Sequence, residues 1–355
     1  MHDDTRKLAL AHWISQIVQD QPQPITLTPI ASDAGFRRYF RFSASTPLLA
    51  VDAPPQTEDT RQFVDLARFF STQGIKTPNI IAFDEAQGFL IIEDFGDCQL
   101  YSQLQKPPTS LAQENPYSAA FNTLLSLQRC SDEASLIPRY DRALLRRELA
   151  IFSEWFVGEM LGCTLNPQEQ DLLNNVFEQL ETSALEQQQT LVHRDFHSRN
   201  LMVCASGELG VIDFQGALWG AATYDLVSLL RDCYLRWPAE QVRSWALDYH
   251  HLAIASNLLP DVSETRFLRW FDWMGLQRHI KVLGIFARLQ LRDGKSGYLK
   301  DLPLVIRYCL EVAEQYPELS DFADWFKATL LPRAEMQPWY SDYRHAGDSH
   351  MHQGG

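Results

Sequence analysis

Residues 191–200 read LVHRDFHSRN: two histidines, an aspartate, two arginines and an asparagine behind a short apolar run. Asp195 is followed five positions later by Asn200 and eighteen positions later by Asp213, which lies in VIDFQGA. Short apolar runs, LMVC and GVI, adjoin Asn200 and Asp213 and suit strands that hold those side chains in place. Phosphoryl transfer from a nucleotide needs few protein parts. It needs a carboxylate to orient and deprotonate the acceptor, and oxygen ligands for a Mg2+ ion that bridges the phosphates. An Asp, an Asn on the same loop and an Asp opening the next turn meet that requirement.

The spacing is that of H-R-D-x-x-x-x-N followed by D-F-G in kinases, here HRDFHSRN and then DFQG. Rival chemistries fit less well. His193 and His197 are four apart, as zinc ligands on a helix are, but the glutamate of H-E-x-x-H is missing and the flanks read as strand, loop, strand. His193 is therefore expected to brace the loop through hydrogen bonds. The segment RDGKSG (292–297) imitates a phosphate-binding loop, but Leu289 stands where the first glycine belongs. In TYDLVSLLRDCY (223–234), Asp225 opens a helix and is placed to accept backbone N–H bonds from the 193–195 loop.

The elements that must position these residues fall into two groups. Residues 5–19 read as an amphipathic helix with Leu8, Ile14 and Ile17 among its apolar positions. Short strands follow from 25 to 52. FRRYFRF (36–42) alternates, with Phe36, Arg38, Phe40 and Phe42 on one face and Arg37, Tyr39 and Arg41 on the other. PLLAVDAPP is a strand stopped by Pro54 and Pro55, and EDTRQFVDLARFFSTQG is a helix burying Phe63, Leu66, Ala67 and Phe70. IIAFDEAQGFLIIEDFG reads as two strands turning at Gln87-Gly88. Beyond residue 98 the chain is helical except for the strand-and-loop insert at 190–214. The expected architecture is α+β and bilobal: a small β-rich lobe with a leading helix over 1–95, a larger helical lobe over 96–340, and a disordered tail over 341–355.

Composition narrows the partners. With 45 acidic against 31 basic side chains the net charge is −14, which disfavours binding to nucleic acid. The six cysteines are scattered without a C-x-x-C pair, as suits buried thiols in a reducing compartment rather than a zinc site or disulfide framework. No apolar stretch is long enough to span a membrane and the N-terminus does not read as a secretory signal, so a cytoplasmic location is expected.

The set HRDFHSRN, IDFQGA and YDL resembles the aminoglycoside phosphotransferase and choline kinase superfamily, whose fold is protein-kinase-like. Within it, DAGFRRYFRF, VDAPP, LVHRDFHSRNLMV, YDLVSLLRDCY and QRHIKVLGIFARL are similar to the bacterial anomeric kinases of N-acetylmuramate and N-acetylglucosamine in peptidoglycan recycling. The resemblance implies ATP and Mg2+, with Asp195 as base and Asn200 and Asp213 as metal ligands. It implies a nucleotide loop at Ser32, Asp33, Ala34, Gly35 and Phe36, an adenine contact at Glu93, Asp94 and Phe95, and a sugar 1-phosphate as product. The strand that carries a lysine in protein kinases has Asp52 here and no lysine. Pairing of Asp52 with Arg61 or Arg68 is disfavoured, because both lie opposite the apolar stripe of their helix. The phosphate-gripping cation is expected on the FRRYFRF strand, Arg38 ahead of Arg41, since an arginine fork suits phosphate oxygens. Candidates for the acceptor are His197, Arg199, Trp219, Tyr224 and Arg278: aromatic faces stack on sugars, and an arginine could meet a lactyl carboxylate. A kinase of the same fold acting on an aminoglycoside or choline, and a nucleotide-binding pseudokinase, are the alternatives.

Overall fold

The computed structural model describes residues 2–18, 24–30, 36–106, 115–131 and 136–348. They form two compact units, one of residues 1–103 with 199–216, the other of 104–198 with 217–355.

The smaller unit is built on a five-stranded antiparallel sheet in the order β1-β2-β3-β5-β4, from β1 (Thr28–Ile30), β2 (Arg38–Arg41), β3 (Leu48–Asp52), β4 (Ile80–Asp84) and β5 (Phe89–Glu93). Helix α1 (His2–Ile17) covers one face: Leu10, Trp13 and Ile14, at helical spacing, pack with Phe40, Phe42, Ala50, Phe89 and Ile91. Leu8 and Ile17, expected on the apolar stripe, are instead exposed, because the stripe runs through 10, 13 and 14. Helix α2 (Thr60–Thr72) starts where the Asp59 carboxylate caps the Gln62 N–H at 2.8 Å, and it buries Phe63, Val64, Leu66, Ala67 and Phe70.

The boundary expected at 95/96 differs from this division. The smaller unit continues through α3 (Leu100–Leu104) as far as Gln103, and it takes back residues 199–216, which were expected to be an insert of the larger lobe. The reason is pairing. Strands β7 (Leu201–Val203) and β8 (Leu209–Val211) form a hairpin whose Val203 N–H donates to Cys98 O at 2.7 Å and whose Val211 N–H donates to Lys76 O at 2.7 Å.

The larger unit is helical: α4 (Ser118–Gln128), α5 (Arg142–Ile151), α6 (Pro167–Leu185), α7 (Tyr224–Leu230), α8 (Ala239–Ala255), α9 (Glu264–Leu291), α10 (Leu302–Ala313), α11 (Ser320–Trp325) and α12 (Leu331–Ala334). A two-stranded ladder of β6 (Gln189–Val192) and β9 (Leu218–Ala221) interrupts them. Helix α5 runs on into a π-helical turn, Phe152–Met160. The core gathers Phe152, Phe156, Leu276, Ile280, Leu283, Val305, Ile306 and Phe326 around the 28-residue α9. A Cβ on Gly284 would lie 2.5 Å from the Ile151 carbonyl carbon, so only glycine lets α9 approach the end of α5 this closely.

Residues 341–348 are not the start of a disordered tail. They form a 310 turn at Tyr343–His345, and Asp348 pairs with Arg307 at 2.7 Å while Gly347 packs on Arg236 and Leu304. Residues 349–355 lie outside the described residues.

Candidate active site

In the larger unit β6 ends at Val192 and delivers the chain into His193-Arg194-Asp195. The buried carboxylate of Asp225, one residue into α7, catches that loop twice. Its Oδ2 accepts from His193 N–H at 2.6 Å and its Oδ1 from Arg194 N–H at 3.0 Å. His193 is fully buried, and its Nδ1 accepts from the Asp195 N–H at 3.3 Å. Arg194 adopts φ +77°, a left-handed conformation that arginine rarely takes, and this turn carries the Asp195 side chain out to solvent. The Arg194 guanidinium is held by Glu148 of α5. Glu148 is buried and also takes the Tyr140 hydroxyl and, at 2.9 Å, Lys281 of α9. Lys281 donates in addition to the Tyr224 hydroxyl at 3.1 Å.

This network sets the charge state of Asp195. Desolvation alone would raise its pKa, but the charges facing it, Lys281 first and then His197 and Arg278, outweigh it and hold the carboxyl below its ordinary value. Asp225 goes the other way. Burial, reinforced by the charge of Asp195, pushes it up to about 7 against the two backbone N–H bonds it accepts. The two carboxylates thus differ in proton affinity by environment. Asp195, which stays ionised, is the one suited to accept a proton at neutral pH.

In the smaller unit Asn200 and Asp213 flank the β7–β8 hairpin, and the Ile212 N–H donates to Asn200 O at 3.1 Å. Phe214 anchors the turn: its ring stacks on Phe63 at 5.0 Å and meets Phe70 edge-on at 5.5 Å, both on α2. Asp213 itself has φ +63°, which Asp tolerates better than most residues, and its exposed carboxylate accepts from Gln215 Nε2 at 2.6 Å through Oδ1. Oδ2 has no partner among the described residues. Oxygen donors of this kind suit Mg2+. Among the described residues no group of three or more His, Cys, Asp or Glu side chains is arranged to hold a metal ion.

A model of the phosphotransferase enzyme family matches residues 26–268. The chain belongs to this family. N-acetylmuramate/N-acetylglucosamine kinases are 36% identical over 89% of this chain and 93% of the relative in Neisseria meningitidis, and 37% identical over 91% and 97% in Pseudomonas aeruginosa. The one from Pseudomonas putida is 38% identical over 90% and 96%. Among solved structures, the ADP-bound aminoglycoside phosphotransferase APH(2″)-Ib has the same fold (TM-score 0.58, 16% identity, 86% of this chain and 98% of that one). So does an ethanolamine kinase of Plasmodium vivax (TM-score 0.60, 12% identity, 89% of each chain). The α+β fold and phosphotransferase membership implied by the resemblance therefore hold.

The other residues singled out in this phosphotransferase are placed as follows. Ser32, Asp33, Ala34 and Gly35 lie outside the described residues, and Phe36 is exposed, with its N–H 3.3 Å from Glu58 Oε1. The Glu93 and Asp94 amides bond Asn79 O and Pro47 O, which leaves the Phe95 amide without a partner among the described residues. The Phe95 ring lies where a Cβ on Gly210 would stand, 2.4 Å away, so that glycine is what lets the ring seat on β8. Arg38 lies opposite Asp52 and pairs with it, as does Arg6 of α1. Arg37, on the other face of β2, is buried, pairs with Glu58 at 3.0 Å and covers the Phe63 ring. Beside it, Tyr39 has a raised pKa, chiefly from burial, with Arg37 opposing and the charge of Asp213 adding to the rise. Asp213 thus acts on Tyr39, which shares a face with Arg37, the residue just before β2, while Arg38 lies on the other face with Asp52.

Of the acceptor candidates, His197 lies in the field of Asp195 and meets Tyr234 edge-on at 5.6 Å, and Arg278 lies in the same field. Arg199 covers the Tyr101 ring, and Trp219 is covered by Arg139. Tyr224 corrects an expectation: it is buried against Tyr140 and under Lys281, so neither ring face is open to a sugar. Glu148 and Lys281 were not singled out from sequence. The available signal was charge inside the apolar run of QRHIKVLGIF, which has no solvent face to receive it.

Proposed function

We propose that this phosphotransferase is an ATP- and Mg2+-dependent kinase that phosphorylates the C1 hydroxyl of N-acetylmuramate and N-acetylglucosamine, in the recycling of peptidoglycan sugars. The observation that carries the reading is identity of 36–38% across about nine-tenths of the chain to kinases named for those two sugars. It is supported by the charge of Asp195. An anomeric hydroxyl is more acidic than an ordinary alcohol, which lessens the basicity asked of a carboxylate that is ionised because its pKa is held low. Asp195 takes the proton from the C1 hydroxyl as that oxygen bonds to the γ-phosphorus, and the bond from phosphorus to the ADP oxygen breaks. His193 and Asp225 hold the loop in the turn this requires.

Asn200 and Asp213 would hold the Mg2+, with Gln215 orienting the Asp213 carboxylate. The ion supplies charge neutralisation of the β- and γ-phosphate oxygens. The nucleotide is assigned to residues 32–36 and the Phe95 amide. Its phosphates are assigned to Arg37, which lies beside Tyr39 on the face away from the Arg38–Asp52 pair. Glu58 then orients Arg37 much as a helix glutamate orients the strand lysine of other kinases. His197 and Arg278 are assigned to the acceptor. Among the described residues no helix is long and apolar enough to cross a membrane, and all six cysteines are unbridged; the cytoplasm, which supplies MgATP and reducing conditions, is the proposed setting.

The test is ADP release from MgATP with N-acetylmuramate, N-acetylglucosamine, the 1-O-methyl glycoside of N-acetylglucosamine, choline and kanamycin. Turnover of the two free sugars but not the glycoside is expected. Turnover of the glycoside would refute the anomeric assignment, and turnover of choline or kanamycin alone would replace the acceptor class.

A further inference from the structure

Three arginines sunk into the larger unit have carboxylate partners. Arg194 has Glu148, Arg231 has Asp272 and Arg236 has Glu311. Arg278 differs. It is 5% exposed, yet among the described residues it makes no ion pair, and its single hydrogen bond runs from Nη1 to Cys233 Sγ at 3.6 Å. Sulfur is a weak acceptor, and a guanidinium carries five N–H donors in a rigid fork that matches a carboxylate. Removing a cation from water without a bonded partner is costly, and the carboxylate that offsets it here, Asp195, acts only through space. Lys281, one turn along α9 on the same side, also lies in the field of Asp195, but its charge is met by Glu148.

A buried, unpaired fork beside the proposed base is prepared for an anion that arrives with the acceptor. We propose that Arg278 is the residue that recognises the acceptor carboxylate, namely the lactyl carboxylate that N-acetylmuramate carries on its C3 oxygen and N-acetylglucosamine lacks. This rests on the amino-sugar reading given above. Arg278 and Asp195 lie in the same unit, and the charge of each acts on the other. A bidentate pair there gives N-acetylmuramate an interaction for which the neutral sugar has no counterpart.

The test is the ratio of kcat/KM for N-acetylmuramate to that for N-acetylglucosamine, in the wild type and in Arg278→Gln and Arg278→Lys. Loss of the field on Asp195 affects both sugars alike and cancels in the ratio. The ratio is expected to fall by at least about tenfold in Arg278→Gln, mainly through KM, with partial recovery in Arg278→Lys. A parallel measurement needs no variant: the lactyl amide of N-acetylmuramate, offered to the wild type, should lose a similar factor relative to the acid. An unchanged ratio in a folded variant, or full activity on the amide, overturns the assignment while leaving the sugar-kinase reading intact. Absence of wild-type turnover on both sugars overturns that reading, and this assignment with it.

Discussion

Arg38 stands directly opposite Asp52 in the antiparallel register of β2 and β3, and its guanidinium closes on the Asp52 carboxylate. Arg6 reaches the same carboxylate from α1, with Nε 2.9 Å from Oδ1. The aspartate that occupies the strand where other kinases carry a lysine thus moors the N-terminal helix to the sheet. It faces away from the side of β2 on which Arg37 and Tyr39 lie.

This divides the roles of two adjacent arginines. Arg37→Gln should raise KM for ATP by about tenfold or more, the loss of one charge-assisted contact. Arg38→Gln should leave KM for ATP nearer the wild-type value and lower the melting temperature, because the buried Asp52 loses a partner. KM and melting curves measured on both variants decide the matter, and the reverse pattern would return the phosphate contact to Arg38.

Asp195→Asn removes the base while keeping shape and loop bonding. Turnover should fall by about 10²–10⁴-fold with ATP affinity retained, read by steady-state kinetics and by nucleotide titration. Near-normal turnover in that variant would refute the role. Asp213→Asn should also abolish turnover, and excess Mg2+ should restore part of it. Full wild-type activity in the presence of EDTA would sink the metal assignment.

Asp225 couples the loop to pH. Its folded pKa of about 7 lies above that of an unfolded aspartate, near 4, so the folded state holds a proton that the unfolded state has released. Its contribution to stability is complete below about pH 4 and is lost as pH rises through about 7, with a slope of at most about 1.4 kcal/mol per pH unit. Asp225→Asn cannot titrate. The stability gap between wild type and this variant, from urea melts at pH 5 to 8, should shrink up to about pH 7 and then level off. A gap independent of pH would show that Asp225 does not bind the proton.

Glu148 takes Arg194, Lys281 and Tyr140 on one buried carboxylate. Glu148→Gln leaves two cations with a neutral partner and should destabilise the fold by about 3–5 kcal/mol, as broken buried ion pairs do. It should also lower kcat, because Arg194 shapes the turn at Asp195. Equilibrium unfolding and kcat are the measurements, and a variant as stable and active as wild type would show the network to be dispensable.

Much of this was legible along the chain because its causes are local. The Asp195–Asn200–Asp213 spacing reflects one loop and one hairpin. The alternation in FRRYFRF, the apolar stripe of α2 and the Gln87-Gly88 turn are fixed by strand and helix periods of two and 3.6 residues. Those periods say which residues share a face but not what the face meets. Arg37 and Arg38 are equivalent by alternation. Only the docking of α1 on one side of the sheet and the packing of Arg37 on Phe63 of α2 on the other separate the arginine that pairs with Asp52 from the one beside Tyr39. In the same way, the return of residues 199–216 to the smaller unit depends on hydrogen bonds to Lys76 and Cys98 that no local pattern encodes. The sequence by itself determined which residues the proposed chemistry rests on, Asp, Asn and Asp at that spacing. The tertiary structure alone decided the charge state and the surroundings. Lys281 and Arg278 reach Asp195 from a distant helix, and electrostatic fields act through space rather than along the chain.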